Sequence, residues 1–311
     1  MAAAFLSRAP SLNESAARDL LRIIVIDVAN ENEATPEGFV CEAILIIGPA
    51  GETMLIDASW PSDFVHPSGR EPSYGPNPTL PFLRSQGVDT LNRLMASHLH
   101  DDHFGGMPEI IRSDDVMVEE LLWSTLSTQQ LLDAEPWGSV SVDLVREILD
   151  ASAERGVSVR EARQGETFFI GRGVVGEILA VGEPELDMPN YINNNGIVMR
   201  LSYGDFSMMF TGDTGFEQED RILASDRDLA SDVLKIGHHA GAGSTGVSWM
   251  SAIDARVGVS SMPRALSIDN PNGERVYDQL KAVGTEVYRT WEHGNIEIQT
   301  DGARYWVITQ R

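Results

Sequence analysis

Ser97-His98-Leu99-His100-Asp101-Asp102-His103-Phe104-Gly105-Gly106 carries three imidazoles and two carboxylates within the six residues from His98 to His103. The run leaves a short apolar segment, 92–97, that reads as a β-strand. His98 and His100 are two residues apart, so an extended chain projects them to one face. The turn at 101–103 is expected to point Asp101 outward and to bring Asp102 and His103 around a second position, and Gly105-Gly106 lets the backbone pass close by. Such a set offers nitrogen pairs and a carboxylate to one or two borderline metals such as zinc. A solvated polar turn gives no reason for three of the chain's seven histidines to crowd into six residues.

Two stretches further along complete a site. Phe210-Thr211-Gly212-Asp213 ends an apolar strand on an aspartate, where a carboxylate can bridge two metals. Leu234-Lys235-Ile236-Gly237-His238-His239-Ala240-Gly241 sets two histidines at another strand end, in a glycine-rich turn. Adjacent residues point different ways, so one imidazole of this pair can bind metal while the other faces substrate or lies behind the site. Either stretch alone would read as an ordinary turn; beside the His98–His103 run they read as parts of one centre.

The elements around these motifs alternate in kind. Strands are expected at 22–30, 40–48 and 53–57, the last two joined across a Pro49-Ala50-Gly51-Glu52 turn. A short helix is expected at 81–86. Residues 115–155 read as mainly helical, with an apolar stripe at 142, 144, 145, 148 and 149 closed by Gly156. Strands return at 174–181, 196–203, 206–211 and 233–237. Helices follow near 245–252 and 274–283, with strands at 285–290, 295–300 and 304–309. Residues 60–81, dense in Pro, Gly and Ser, form a long loop of the kind that carries function in compact domains. The pattern predicts an α/β sheet core with helices outside. It divides the chain into a leader segment, 1–21, and a single domain, 22–311.

Composition narrows the chemistry. The single cysteine, Cys41, allows neither a disulfide framework nor a cysteine-based zinc site, so a metal must rely on histidine and carboxylate. Neither a signal peptide nor a membrane span is expected, since no apolar run approaches the required length. A cytoplasmic location follows as an expectation. Acidic residues outnumber basic ones 47 to 23, for a net charge of −24, and only two lysines occur, Lys235 and Lys281. A surface so negative repels phosphate backbones, which counts against a nucleic-acid partner and favours a small-molecule substrate.

Taken together, these residues resemble the metallo-β-lactamase superfamily, an αββα sandwich with metals at the sheet edges. The likeness is greatest to the branch that holds the carboxy-terminal domain of competence channel proteins and the phosphorylcholine esterases. It runs through Val25-Ile26-Asp27-Val28, Leu55-Ile56-Asp57, the stretch 81–106 and the strand pair ending at Asp213. Leu234-Lys235-Ile236-Gly237-His238-His239 and the segment 288–302 continue it, so it covers about 22–302. The resemblance implies that His98 and His100 hold one metal and Asp102 and His103 the other. Asp213 would bridge them, and one of His238 and His239 would complete the first site. The reading taken is His239 as ligand and His238 as the group facing substrate. Asp57 would lie behind the site and orient a ligand imidazole, whereas Asp27 would be structural. The implied cofactor is Zn2+, one ion or two, with Mn2+ as the alternative.

The chain also departs from that pattern. No histidine lies between His103 and His238, and Asn193 to Asn195 occupy the stretch where many hydrolases of the superfamily place a ligand. Asn270-Pro271 stands where the branch often has His-Pro. An amide oxygen is a weaker ligand than an imidazole, so Asn270 leaves the filling of the second position open. His66, in the 60–81 loop, and His293 are expected outside the ligand set.

Four functions are compatible with this reading. The first is a metal-dependent hydrolase of small phosphodiester-type substrates using a metal-bound hydroxide, with Asp102 orienting the nucleophile and His238 donating a proton or hydrogen bond. The others are a nuclease, a lactone, thioester or β-lactam hydrolase, and a noncatalytic metal-binding sensor. The fold alone does not choose among them, and the sequence sets no oligomeric state.

Overall fold

Strands with apolar residues on both faces must be covered on both faces, and most of the strands here are of that kind. The computed structural model describes residues 20–28, 40–62, 76–124, 126–134, 138–182, 190–264 and 271–311. Most of the leader segment, the middle of the 60–81 loop with His66, and Asn270 lie outside them.

The described strands build two large mixed sheets. The first, eight strands wide, runs in the order Tyr305–Thr309, Ile296–Thr300, Leu21–Val25, Ile44–Ile47, Thr53–Ile56, Arg93–Ala96, Glu120–Trp123, Ser158–Glu161. The second, seven wide, runs Glu286–Arg289, Val257–Ser260, Val233–Lys235, Phe206–Phe210, Val198–Tyr203, Val174–Ala180, Thr167–Phe169. Two-residue alternation divides each strand between layers. Ile23, Val25, Ile44 and Ile46 meet Met199, Leu201, Met208 and Phe210 between the sheets. Their neighbours Ile24 and Leu45 face outward and pack with Leu83, Ile110, Ile111 and Ile148 of the covering helices. On the other side, Met209, Leu234 and Ile236 pack with Ile222, Trp249, Ile253, Val276 and Leu280. This is the αββα sandwich.

Most expected elements are found, but the strands Ser158–Glu161 and Val257–Ser260 and the helices Met107–Arg112 and Phe216–Leu223 were not expected, and one expectation is corrected. Residues 115–155 are not mainly helical: Met117–Val118 and Glu120–Trp123 are strands, and helix resumes at Thr128–Ala134 and Gly138–Arg155. Glu120-Leu121-Leu122-Trp123 is an inner parallel strand with Leu121 and Leu122 packed on opposite faces. Such a strand reads as a continuous apolar run, which periodicity alone does not separate from a helical turn.

Parallel pairing fixes where functional residues emerge. Ile56 lies beside Met95, so Asp57 and Ser97-His98 leave the first sheet at the same edge. In the second sheet Phe210 lies beside Lys235. Asp213 and His238, each three residues further on, therefore leave in step.

Candidate metal centre

The two sheet edges meet, and their imidazoles converge. His103 Nε2 lies 3.1 Å from His239 Nε2, and each sits 3.4 Å from a carboxylate oxygen of Asp213, Oδ2 and Oδ1 respectively. Asp102 Oδ2 is 3.7 Å from His103 Nε2 and 4.0 Å from His239 Nε2. A second pair forms at His98 Nε2 and His100 Nδ1, 3.1 Å apart. His98 Nε2 lies 3.9 Å and His238 Nε2 3.8 Å from Asp213 Oδ2, so this carboxylate stands between both groups. The His238 side chain keeps 32% of its surface exposed, whereas His239 keeps 1%.

Hydrogen bonds behind the imidazoles fix their tautomers. Asp57 Oδ2 accepts from His103 Nδ1 at 2.7 Å, and the Ser261 carbonyl accepts from His239 Nδ1 at 2.7 Å. Neither oxygen can donate, so each Nδ1 carries the proton and each Nε2 turns its lone pair to the shared space. Asp57 also accepts from Ser97 N at 2.8 Å and Ser97 Oγ at 2.6 Å, and that hydroxyl lies 3.1 Å from His98 Nδ1.

Close backbone approach makes this possible. A Cβ on Gly105 would lie 2.3 Å from Pro61 Cδ, and one on Gly106 would lie 2.2 Å from the Ala58 carbonyl oxygen. Left-handed backbone is concentrated here too: Asp57, Ser59, His238, His239 and Ala240 all have φ between 48° and 63°. Each such non-glycine residue costs on the order of 1–3 kcal/mol and persists where the surroundings over-determine it, as they do around functional sites.

Burial lowers the His98 pKa well below its ordinary value, and the neighbouring His103, His100 and His238 push the same way. Burial also pushes His239 down to about 3, against the pull of Asp213. For Asp213, burial is outweighed by His103, His239 and His238, which hold its carboxyl well below the usual carboxylate range. At His103 burial is outweighed by Asp213, Asp102 and Asp57, which hold its pKa well above the ordinary value, so a metal ion binding there must displace a proton; His98, His239 and Asp213 already stand in the forms that bind a metal.

The donors fit such an ion. Two atoms each about 2.0–2.1 Å from a tetrahedral zinc lie about 3.3–3.4 Å apart. The 3.1 Å between His103 and His239, and the 3.4 Å from each to its own oxygen of Asp213, lie close to that spacing, with Asp102 a little further out at 3.7 and 4.0 Å. Asp213 Oδ1 is buried with no hydrogen-bond partner, a costly state for a carboxylate oxygen unless a cation satisfies it. A family model described as Metallo-beta-lactamase superfamily matches residues 37–119, a span holding Asp57 and the whole His98–His103 run. Over that span the chain is similar to the metallo-β-lactamase superfamily.

A curated relative, ComE operon protein 3 of Bacillus subtilis (strain 168), is 27% identical over 225 residues. The match takes in 72% of the chain and 26% of the relative, so the chain spans about a quarter of that protein's length. Among solved structures, CmlA, a diiron beta-hydroxylase from Streptomyces venezuelae, is similar with a TM-score of 0.53 at 15% identity, over 89% of this chain and 54% of that one. Tm1679, a metal-dependent hydrolase of the beta-lactamase superfamily, is similar with a TM-score of 0.52 at 13% identity, over 88% and 98% of the two chains. At these identities the structural likenesses speak for the fold.

Within the metallo-β-lactamase fold, His98, His100, Asp102, His103, Asp213, His238 and His239 all come together, with Asp57 behind them. One grouping differs from the expectation. His239 faces His103 and Asp102, not the His98–His100 pair, because the left-handed turn at 238–240 swings its ring inward against Ser261. The exposed His238 lies on the outer side. Asp101, expected to point outward, is buried at 9% exposure. His293 bonds within its own turn, through Arg289, and takes no part. Sequence reasoning missed Ser97, Ser261 and the buried pair Glu42–Lys235. Only Lys235 left a trace, as a charge in a strand that should be apolar.

Proposed function

We propose that this chain is a metal-dependent hydrolase of small phosphoesters, diesters above all, with Zn2+ as its metal and Mn2+ as the alternative. The observation that carries the reading is the convergence of His103, His239, Asp102 and Asp213 around the unpartnered Asp213 Oδ1. His98 and His100 supply a second nitrogen pair on the other side of the same carboxylate. When bound, the metals supply an activated water at neutral pH and neutralise charge on phosphoryl oxygens.

The remaining work belongs to the chain's own side chains. Asp57 and the Ser261 carbonyl hold the ligand imidazoles in one tautomer. Asp102, partly exposed, orients the attacking water and accepts its proton. His238, on the solvent side, donates a hydrogen bond or proton to the departing oxygen; a positioned group of this kind contributes about 10²–10⁴-fold.

The acidic balance supports a small substrate over a polymer. The net charge is −24, and of the two lysines Lys235 is fully buried. No helix among the described residues is long and apolar enough to cross a membrane. A panel assay on zinc-reconstituted protein tests the reading. A bis(aryl) phosphodiester should be turned over with a higher kcat/KM than a lactone, a thioester or a β-lactam. Single-stranded DNA should be cut slowly or not at all at low salt, where repulsion is strongest. Preference for a lactone, thioester or β-lactam moves the reading to that bond, and rapid DNA cleavage moves it to a nuclease. A chain that binds zinc and turns over nothing is a metal-binding sensor.

A further inference from the structure

Beneath the ligand histidines, the layer between the sheets contains an ion pair. Lys235 continues the inward face of Val233, and Glu42 continues that of Ile44 and Ile46. Alternation calls for apolar residues at both places. Instead the Lys235 ammonium meets Glu42 Oε2, with the two side chains 0% and 1% exposed. Fully buried lysine is rare unless paired. Such a pair is also a weak source of stability, since apolar replacements of similar volume are often neutral or better. Core packing therefore does not account for it.

Its placement does. Glu42 Oε2 lies 3.9 Å from His239 Nδ1, and Glu42, Asp57 and His103 bring their ligating atoms within 4.8 Å of one another. The backbone is tied to the same residues. Glu42 N–H donates to the Asp102 carbonyl at 3.2 Å, and Ser59 N–H donates to the Glu42 carbonyl at 2.8 Å. Ser261 Oγ donates to the Cys41 carbonyl at 2.7 Å, while the Ser261 carbonyl holds His239. Lys235 itself anchors by donating to the Ile236 carbonyl at 3.2 Å, three residues before His239. The Glu42 carboxylate thus stands on the His103–His239 side of the centre, with the Lys235 ammonium against it.

We infer that Glu42 and Lys235 are positioning residues for the His103–His239 metal position. Lys235 sets its ammonium against the buried Glu42 carboxylate, and that carboxylate sits behind the two imidazoles that would hold a cation. Charge on this side raises ligand basicity and favours a bound cation at one position of two. The inference rests on the metal reading of the site.

The test is zinc-competition titration of metal-free wild type and of the double variant Glu42→Gln/Lys235→Met, which removes both charges at nearly constant volume. The double variant should bind one zinc as tightly as wild type and the other about 10–100-fold more weakly, the usual effect of losing a group behind a ligand. Two unchanged affinities would overturn the inference. Two equally weakened ones would also overturn it, by reducing the pair to a general support of the fold. A second measurement needs no variant. With only two lysines in the chain, 15N-lysine labelling yields two side-chain ammonium signals. The Lys235 signal should shift as zinc is added and the Lys281 signal should not. A Lys235 signal that stays put while two zinc ions bind would overturn the inference and leave the metal site standing. Wild type that takes up no zinc would overturn the metal reading and the inference with it.

Discussion

Asp57→Asn changes a single atom type at a position where asparagine tolerates the backbone. Asp57 has φ 59°, and Asn is one of the few side chains that adopt this left-handed region readily. The carboxylate accepts three hydrogen bonds: Ser97 N to Oδ1, and Ser97 Oγ and His103 Nδ1 to Oδ2. An amide cannot accept all three. With its nitrogen toward His103, the Nδ1–H donor meets a donor, and the imidazole must move its proton to Nε2, where it blocks metal binding. With its nitrogen toward Ser97, the buried backbone N–H at position 97 loses its acceptor, a cost of about 1–3 kcal/mol. Both side chains are 0% exposed, so water does not repair either arrangement. Zinc affinity at the His103 position should fall by about 10–100-fold, or about 1.4–2.7 kcal/mol, as for other groups that orient a ligand imidazole. Chelator competition measures the affinity, and thermal melting of the metal-free protein reads the fold. A variant with wild-type zinc affinity and wild-type melting would refute the argument that Asp57 sets the His103 tautomer.

Asp213→Ala should reduce metal content and activity far more than Asp101→Ala, because Asp213 stands among four imidazoles and Asp101 supplies no atom to the convergent donor group; elemental analysis with kinetics compares them, and equal losses would mean that another group bridges. His239→Ala should lose one metal, whereas His238→Ala should keep its metal and lose about 10²–10⁴-fold in kcat; the reverse pattern in the same two assays would exchange the roles. Leu45→Ala, in the outer core beneath the helices, should lower the unfolding free energy by about 2–5 kcal/mol in urea titrations. A loss well under 1 kcal/mol would mean that this layer is not close-packed.

The strand and helix order was legible because the strands carry apolar residues in short runs and the helices carry them at helical spacing. Glu120–Trp123 escaped because an inner parallel strand has no alternation to recognise, and two adjacent leucines suit a helix equally well. The ligands were legible because His98, His100, Asp102 and His103 are neighbours in the chain. What groups with what was not: the pairing of His239 with His103 depends on three consecutive left-handed residues, and nothing in Gly237-His238-His239-Ala240 announces them. Asp101 was read as outward from its place in the turn, whereas it is a buried residue of the helix Asp101–Phe104. Ser97, Ser261 and Glu42 are polar residues in strand-end contexts where polar residues are common. Their roles come from partners 40 to 220 positions away, such as Asp57 for Ser97 and Cys41 for Ser261.

The central claim is that His103, His239, Asp102 and Asp213 hold a metal ion together. The most direct test is an anomalous difference map, recorded at the zinc edge, from crystals of zinc-reconstituted protein. A peak is expected about 2.0–2.2 Å from His103 Nε2, His239 Nε2 and a carboxylate oxygen each of Asp102 and Asp213. A map with no peak there, zinc being absent or held only by other residues, would contradict that claim.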